Sequence, residues 1–340
     1  AQAVDGRPIG RDALFRISSN TKPITAAVVL SLVDDGLLRL DGSVDDLLPE
    51  LADRRVLRRP DGPLNEVVPA ERPITVRDLL TFTWGFGMQG AMFMDSEPWP
   101  IVTATEERQL ATFGPPQPAT TLDPDTWMGR LGELPLIAQP GERWLYQSGS
   151  QVLGVLAARA ASAPLEQVMR QRLFEPLGMV DTGFHTTDPE RLTTAYARHD
   201  GYLEITDPPA GQWARPPRFP DGAAGLLSTV DDMLAFGQML LGHGPTVLRA
   251  STIAEMTSDQ LSATQRANVW PGFSFLEGRG WGYGVSVLDD GSYGWDGGLG
   301  TTWLNVPARD LTVVVLTQRA ADESGMPTVC NEVLAAARQT

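Results

Sequence analysis

Serine, lysine and tyrosine side chains that could perform acyl transfer occur at separate points of the chain. Ser19 and Lys22 form an S-x-x-K motif, and Lys22 is the one lysine among 27 basic residues. Arginine keeps its proton at neutral pH, whereas a lysine with a lowered pKa can lose it. A neutral Lys22 amine could therefore take the hydroxyl proton of Ser19 and make that oxygen a nucleophile. The alternative is that Ser19 only caps a helix.

The residues after Ser19 predict the helix that would set this spacing. Apolar residues recur at helical spacing over residues 21–35, and Pro23 suits the first turn. A separation of three residues places Ser19 and Lys22 on the same side of a helix. The positive end of the helix would also stabilise negative charge that develops at the serine.

Two later segments carry further candidates. Tyr146 begins the tripeptide YQS, and a tyrosine near a lysine ammonium can have a lowered pKa and act as a general base. The alternative for Tyr146 is a packed aromatic residue. Residues 295–301 (WDGGLGT) bring glycines to the start of a strand, where free backbone N–H groups could point at an oxyanion. The alternative there is a glycine-rich β-turn.

Other kinds of chemistry lack a motif in this sequence. The histidines His185, His199 and His243 fall in predicted loops or at helix ends, and no G-x-S-x-G elbow, H-E-x-x-H, P-loop or G-x-G-x-x-G motif occurs. Cys330 is the one cysteine, which rules out an internal disulfide and disfavours a Cys-based zinc site. We predict no cofactor and no metal. The cysteine usage is compatible with a cytoplasmic location.

The overall composition limits the partners. A net charge of -15 disfavours binding to nucleic acid, because an acidic surface repels phosphate. The longest apolar stretch, residues 24–33, is too short to span a bilayer. We therefore expect a small-molecule substrate, no nucleic acid and no membrane span, with the oligomeric state left open.

The order of predicted elements indicates the fold class. Helices are predicted at residues 75–82, 151–161, 165–174, 229–241 and 327–338, strands at 281–288, 301–306 and 311–317, and a long loop at 85–124. Thr75 and Asp78 have the spacing of a capping box. This order predicts an α/β protein of the α+β type, with an antiparallel sheet flanked by helices. Residues 1–60 would join 206–340 in one domain, and residues 61–205 would form a mostly helical insertion.

Taken together, these motifs resemble the serine β-lactamase and penicillin-binding-protein superfamily. The resemblance covers nearly the whole chain and is to class C-type serine hydrolases, in particular family VIII carboxylesterases. It rests on residues 15–23 (FRISSNTKP), 75–81 (TVRDLLT), 140–141 (PG), 146–148 (YQS), 175–179 (EPLGM), 225–229 (GLLST) and 295–298 (WDGG). It implies a β-lactamase/transpeptidase-like fold.

The resemblance also implies a role for each matching residue. Ser19 would be the acylated nucleophile, and Lys22 and Tyr146 would share the acid and base work, with Tyr146 holding a proton for the leaving group. The backbone N–H groups of Ser19 and Gly298 would form the oxyanion hole. Relatives usually carry a helix and two strands before the S-x-x-K segment, so we expect residues upstream of Ala1 in the natural protein.

The substrate pocket departs from the family pattern. Ser148 stands where the family usually has Asn, and Trp295 stands where β-lactamases carry Lys or His. Asp296 would repel a substrate carboxylate, and an aromatic wall at Trp295 suits an apolar acyl or alcohol group. We also assign Trp84 and Gly297 to the substrate pocket. The sequence thus predicts a serine hydrolase that cleaves carboxylic esters. The alternatives are a β-lactamase, a D-amino-acid peptidase or amidase, an acyltransferase, or a non-catalytic penicillin-binding-like domain.

Overall fold

The computed structural model describes residues 6, 8–94, 97–268 and 276–339. Its α-helices are α1 (Thr21–Asp34), α2 (Val76–Leu80), α3 (Pro100–Glu107), α4 (Pro124–Gly132), α5 (Ser148–Ala160), α6 (Leu165–Met169), α7 (Glu175–Leu177), α8 (Val230–Leu240), α9 (Ala250–Met256), α10 (Ala263–Ala267) and α11 (Thr328–Gln339). Its strands are β1 (Phe15–Arg16), β2 (Arg55–Leu57), β3 (Val67–Pro69), β4 (Ala195–His199), β5 (Tyr202–Asp207), β6 (Leu227–Ser228), β7 (Gly280–Trp281), β8 (Ser286–Val287), β9 (Tyr293–Gly297), β10 (Thr301–Val306) and β11 (Leu311–Leu316).

The late strands form the main sheet. Its order is β11-β10-β9-β8-β7, and every neighbouring pair is antiparallel. Helices α8 and α11 pack against β10 and β11, and β10 is buried along its whole length, as expected for a strand covered on both faces. This confirms the predicted antiparallel sheet with flanking helices. The pairs β1–β6, β2–β3 and β4–β5 are separate antiparallel ribbons.

Helix α1 lies at the centre of the molecule. Its residues from Thr21 to Leu32 are all buried, and it packs against α5, α6 and α9. The sequence predicted one apolar face, but the neighbours surround the helix and bury its other sides as well. A helix held this firmly is a rigid support for the residues at its N-terminus.

Several element predictions need correction. The predicted loop 85–124 contains a 3-10 turn (Gly90–Phe93) and helix α3, and the predicted strand 281–288 is interrupted between β7 and β8, where Gly284 has a φ of 73°. Residues 170–174 are π-helical. His199 lies in strand β4 rather than in a loop or at a helix end. The capping box of Thr75 and Asp78 is confirmed.

The hydrophobic core runs through both parts of the predicted domain division. One cluster of buried side chains includes Val28 of α1, Leu153 of α5 and Trp303 of β10. The division into residues 1–60 with 206–340 and an inserted 61–205 stays a prediction. None of the helices within the described ranges has the length and apolarity that a bilayer crossing requires.

Candidate active site

The candidate nucleophile lies on a tight turn between β1 and α1. A 3-10 turn spans Ser18–Asn20, and Ser18 has a φ of 48°, a left-handed conformation that is strained for a residue with a side chain. Thr301 secures the turn, because its Oγ1 donates to the Ile17 carbonyl at 2.9 Å. Asn20, which precedes α1, makes no side-chain cap to the helix. The hydroxyl of Ser19 instead faces Lys22.

Lys22 lies one turn further on and is fully buried. Its Nζ is 2.9 Å from Ser19 Oγ, 2.9 Å from the Ala223 carbonyl oxygen and 3.2 Å from Gln147 Oε1. Burial lowers the pKa of Lys22 to about 7, and the negative charge of Asp221 opposes that shift in part. At neutral pH a large fraction of the amine is therefore uncharged and able to accept a proton.

A second turn, residues 221–225, brings the Ala223 carbonyl to the amine. Asp221 Oδ1 accepts a hydrogen bond from the Ala223 backbone N–H at 2.7 Å, and the Gly222 carbonyl accepts one from Thr25 Oγ1 at 2.7 Å. A Cβ on Gly222 would lie 2.7 Å from the Ser150 carbonyl oxygen, so only glycine fits between α1 and α5. Burial raises the pKa of the Asp221 carboxyl. Asp221 thus fixes the carbonyl that the amine contacts.

Tyr146 closes the other side of the pair. Its hydroxyl is hydrogen-bonded to Ser19 and accepts a bond from the Trp295 indole N–H at 3.0 Å, and its ring centroid is 4.7 Å from Lys22 Nζ. Burial raises the pKa of Tyr146 above its ordinary value. The expectation of a lowered pKa is therefore wrong, because the burial of the phenolic oxygen outweighs its hydrogen bonds with Ser19 and Trp295, which favour the charged form. A protonated tyrosine is suited to donate a proton.

The ring of Tyr146 belongs to an aromatic cluster. The buried members of this cluster are Phe82, Trp144, Tyr146, Leu261, Leu276, Trp281 and Trp295. Trp295 packs edge-on against Trp281 with ring centroids 4.8 Å apart. The cluster keeps water from the ring of Tyr146, which is the physical cause of its raised pKa.

Gln147 and Ser148 point to different sides of the chain. Gln147 has φ 84° and ψ -66°, and the Ser148 N–H donates back to the Tyr146 carbonyl at 3.3 Å, which together define a γ-turn. The Gln147 side chain reaches Lys22, whereas Ser148 Oγ donates to the Phe86 carbonyl at 2.7 Å. Gln147, which the sequence analysis did not single out, therefore contacts Lys22, whereas the predicted pocket residue Ser148 faces away from the amine.

Strand β9 ends beside the nucleophile. A Cβ on Gly297 would lie 2.3 Å from the Ile17 carbonyl oxygen, so this glycine permits the strand to approach the turn that carries Ser19. The approach places Gly298 on the wall of the same cavity as Ser19. Asp296 lines that cavity as well, and its carboxylate accepts a hydrogen bond from Thr302 Oγ1.

These residues open into a cavity of about 860 Å³. Five acidic residues line it, along with two arginines, Arg16 and Arg279. Arg16 is buried in an ion pair with Asp207, and Arg279 lies 3.5 Å from Asp296. Arg16 is thus neutralised in the interior and Arg279 is paired at a half-buried position, and the cavity wall carries excess negative charge. Within the described part of the chain, no cluster of three or more His, Cys, Asp or Glu residues could hold a metal ion.

The structure brings most of the predicted site residues together. Ser19, Tyr146, Trp295, Asp296 and Gly298 line the cavity, and Lys22 contacts Ser19 from behind. Three predicted pocket residues do not line it: Ser148, Gly297 and Trp84.

Each of these three has a physical reason for its position. Trp84 is fully buried and packs on Phe86, with ring centroids 5.6 Å apart. Ser148 is also fully buried, and Gly297 is a point of backbone contact. The residues that the sequence analysis missed are Gln147 and Asp221. The Asp-Gly dipeptide at 221–222 was a turn signal, but nothing local linked it to Lys22.

Comparisons with known proteins identify the family of this chain. The family model described as Beta-lactamase matches residues 1–333. Protein Rv1367c of Mycobacterium tuberculosis is 37% identical over 345 residues, which cover 94% of this chain and 80% of that protein. Esterase EstB of Burkholderia gladioli is 31% identical over 355 residues, which cover 95% of this chain and 81% of that protein.

A solved structure extends the comparison to the fold. The structure of EstCE1, described as "a hydrolase with promiscuous acyltransferase activity", superposes with a TM-score of 0.78 at 25% identity, covering 95% of this chain and 84% of that one. Fold and comparisons together define a serine hydrolase of the β-lactamase/transpeptidase-like fold. The chain belongs to the Beta-lactamase family.

Proposed function

We propose that this enzyme hydrolyses uncharged carboxylic esters through an acyl-enzyme on Ser19. The observation that carries the proposal is the contact of 2.9 Å between Ser19 Oγ and the fully buried Lys22 Nζ. Burial lowers the pKa of Lys22 to about 7. A nucleophile and a base are thus in hydrogen-bond contact, at a pH where the base can work.

In the acylation step, Ser19 Oγ attacks the ester carbonyl carbon while Lys22 takes the hydroxyl proton. The negative charge that forms on the carbonyl oxygen would be held by the backbone N–H groups of Ser19 and Gly298, which line the same cavity. The tetrahedral intermediate then loses the alcohol. Tyr146 donates its phenolic proton to the departing oxygen, and the proton on Lys22 replaces it.

In the deacylation step, water attacks the acyl carbon and gives its proton to Lys22. The bond to Ser19 Oγ breaks, and Lys22 returns the proton to the serine oxygen. The acid leaves, and Ser19, Lys22 and Tyr146 regain their starting protonation. The acyl group passes from the alcohol to Ser19 and then to water, and the other transfers in the cycle are of protons, so no step changes an oxidation state.

The cavity wall supports an uncharged substrate. Arg16 is buried against Asp207, and Arg279 lies beside Asp296, whose negative charge opposes the approach of a substrate carboxylate. Trp295 contributes an aromatic surface where a charged side chain would hold an anionic lactam. The similarity to the relative named Esterase EstB also supports the cleavage of esters.

The test compares the parent with Ser19→Ala. A fluorophosphonate probe should add once to the parent and not to the variant, as read by intact mass. Ser19→Ala should also lose hydrolysis of p-nitrophenyl butyrate. Ser18→Ala is the matched control, because Ser18 lines the same cavity and has no assigned role. Ester hydrolysis that survives in Ser19→Ala would refute the proposal. Faster turnover of nitrocefin than of esters would show that the enzyme is a β-lactamase rather than an esterase.

Acyl transfer to an alcohol is a second candidate. EstCE1 is described as having a promiscuous acyltransferase activity, and an acyl-enzyme can react with an alcohol in place of water. Adding a primary alcohol to the same assay would show a new ester product by mass spectrometry. If free acid is the one product, the enzyme hydrolyses the ester and does not transfer the acyl group to the alcohol.

A further inference from the structure

We propose that Gln147 is a positioning residue that turns the lone pair of the neutral Lys22 amine toward the hydroxyl of Ser19. The inference rests on the proposed function, since it assigns Lys22 as the base. It concerns a side chain whose hydrogen bonds go to Lys22 and to the Gly114 carbonyl oxygen.

The argument begins with the hydrogen-bonding capacity of the amine. An uncharged amine has two N–H donors and one lone pair. Lys22 Nζ has three polar neighbours, at 2.9 Å (Ala223 O), 3.2 Å (Gln147 Oε1) and 2.9 Å (Ser19 Oγ). The first two are carbonyl oxygens, which only accept hydrogen bonds. Both N–H groups are therefore taken by these carbonyls, and the lone pair is left for the hydroxyl proton of Ser19.

The orientation of the Gln147 amide is itself fixed. Its Nε2 donates to the Gly114 carbonyl oxygen at 3.0 Å. In a rotated amide, two carbonyl oxygens would face each other at that contact, and an NH₂ group would face the amine. The bond to Gly114 thus selects the rotamer in which Oε1 accepts from Lys22.

The backbone at Gln147 also indicates a function. The γ-turn with φ 84° is rare and strained for a residue with a side chain. It aims Gln147 at the amine while Tyr146 faces Ser19 and Ser148 bonds to Phe86. Consecutive side chains thus reach the base, the nucleophile and the core, an arrangement that a regular strand or helix would not give.

Two substitutions of similar length separate the chemical role from a structural one. Gln147→Met removes the acceptor, and Gln147→Glu keeps an acceptor but adds a negative charge beside the amine. Neither residue is β-branched, so the strain of the turn is similar in parent and variants. Gln212→Met is the matched control, because Gln212 lines the same cavity and bonds to Asp207 through its backbone N–H.

The readouts are kcat, KM and the pH dependence of kcat for p-nitrophenyl butyrate. Gln147→Met should lower kcat about 5- to 100-fold with little change in KM, which corresponds to one lost hydrogen bond to a charged or reacting group. The acidic limb of its pH profile for kcat should move to lower pH, because the lost acceptor also stabilised the ammonium form of Lys22. Gln147→Glu should move that limb to higher pH. The titratable groups that face the amine are Asp221 and Tyr146, and both are unchanged in these variants.

The outcomes distinguish this inference from the function on which it rests. Parent-like kcat and an unmoved acidic limb in Gln147→Met would overturn the role of Gln147, while Ser19-dependent turnover would still stand. An equal loss of kcat in both variants without opposite shifts of the limb would assign Gln147 a structural role and also overturn it. If Gln147→Met does not fold by near-UV circular dichroism, the direction of the shift in Gln147→Glu decides. A parent without Ser19-dependent turnover would overturn both proposals.

Discussion

Replacing Lys22 by methionine should make the free energy of unfolding less dependent on pH, and it should also abolish activity. The side chain is fully buried, with a pKa of about 7 in place of 10.5. The unfolded chain therefore binds a proton throughout the range between these values, whereas the folded chain does not. The parent has its full stability above pH 10.5, loses stability as the pH falls toward 7, and changes little below.

The size of the effect follows from the two pKa values. At about 1.36 kcal/mol per unit, burying Lys22 costs roughly 4 kcal/mol at pH 7 and roughly 2 kcal/mol at pH 9. Methionine has a similar length and does not titrate. The lost contacts with Ala223 and Gln147 lower the stability of Lys22→Met by an amount that does not depend on pH. Comparing the difference in stability at two pH values cancels this pH-independent loss.

The assay is guanidinium unfolding followed by fluorescence of the nine tryptophans, at pH 7 and at pH 9. The free energy of unfolding of Lys22→Met minus that of the parent should be about 2 kcal/mol larger at pH 7 than at pH 9. Ser19→Ala keeps the amine and should retain most of the parent's pH dependence. A difference that is the same at both pH values would refute the reasoning, because Lys22 would then keep its proton in the folded state.

Two further predictions concern neighbours of the pair. Trp295→Phe removes the indole N–H that donates to Tyr146 at 3.0 Å and should lower kcat for aryl esters about 3- to 10-fold; an unchanged kcat would show that this bond does not orient the phenol. Gly222→Ala places a Cβ 2.7 Å from the Ser150 carbonyl oxygen and should lower the free energy of unfolding by about 1–3 kcal/mol in the same guanidinium assay. Gly183→Ala, whose Cβ would have its nearest neighbour at 3.7 Å, is the control, and equal losses in both variants would contradict the steric argument.

The sequence was sufficient where the relevant geometry is local. The contact between Ser19 and Lys22 follows from a spacing of three residues at a helix start, and the structure places the two atoms 2.9 Å apart. The capping box of Thr75 and Asp78 and the antiparallel late strands are local patterns of the same kind. Their energetics depend on neighbours within a few residues or across a short turn, so residue types alone predict them.

The sequence was insufficient where distant segments meet. Asp221 and the Ala223 carbonyl act on Lys22 from a turn that lies far along the chain from α1. The γ-turn at Gln147 depends on a positive φ that no residue type there predicts, so the sequence did not indicate the contact between Gln147 and Lys22. The pKa of Tyr146 depends on burial by an aromatic cluster whose members are scattered between Phe82 and Trp295.

Because its one lysine is completely buried, this protein can be used to measure the motions that expose its interior. The chain offers amine-directed reagents one lysine, Lys22, and in the folded protein that side chain has no exposed surface. Its modification must therefore await an opening that exposes the N-terminal turns of α1. Ser19→Ala is the suitable background, because Ser19 would otherwise be acylated as well. The rate at which Lys22 becomes labelled would then measure how often the interior of the site is exposed to solvent, without any probe being introduced into the chain.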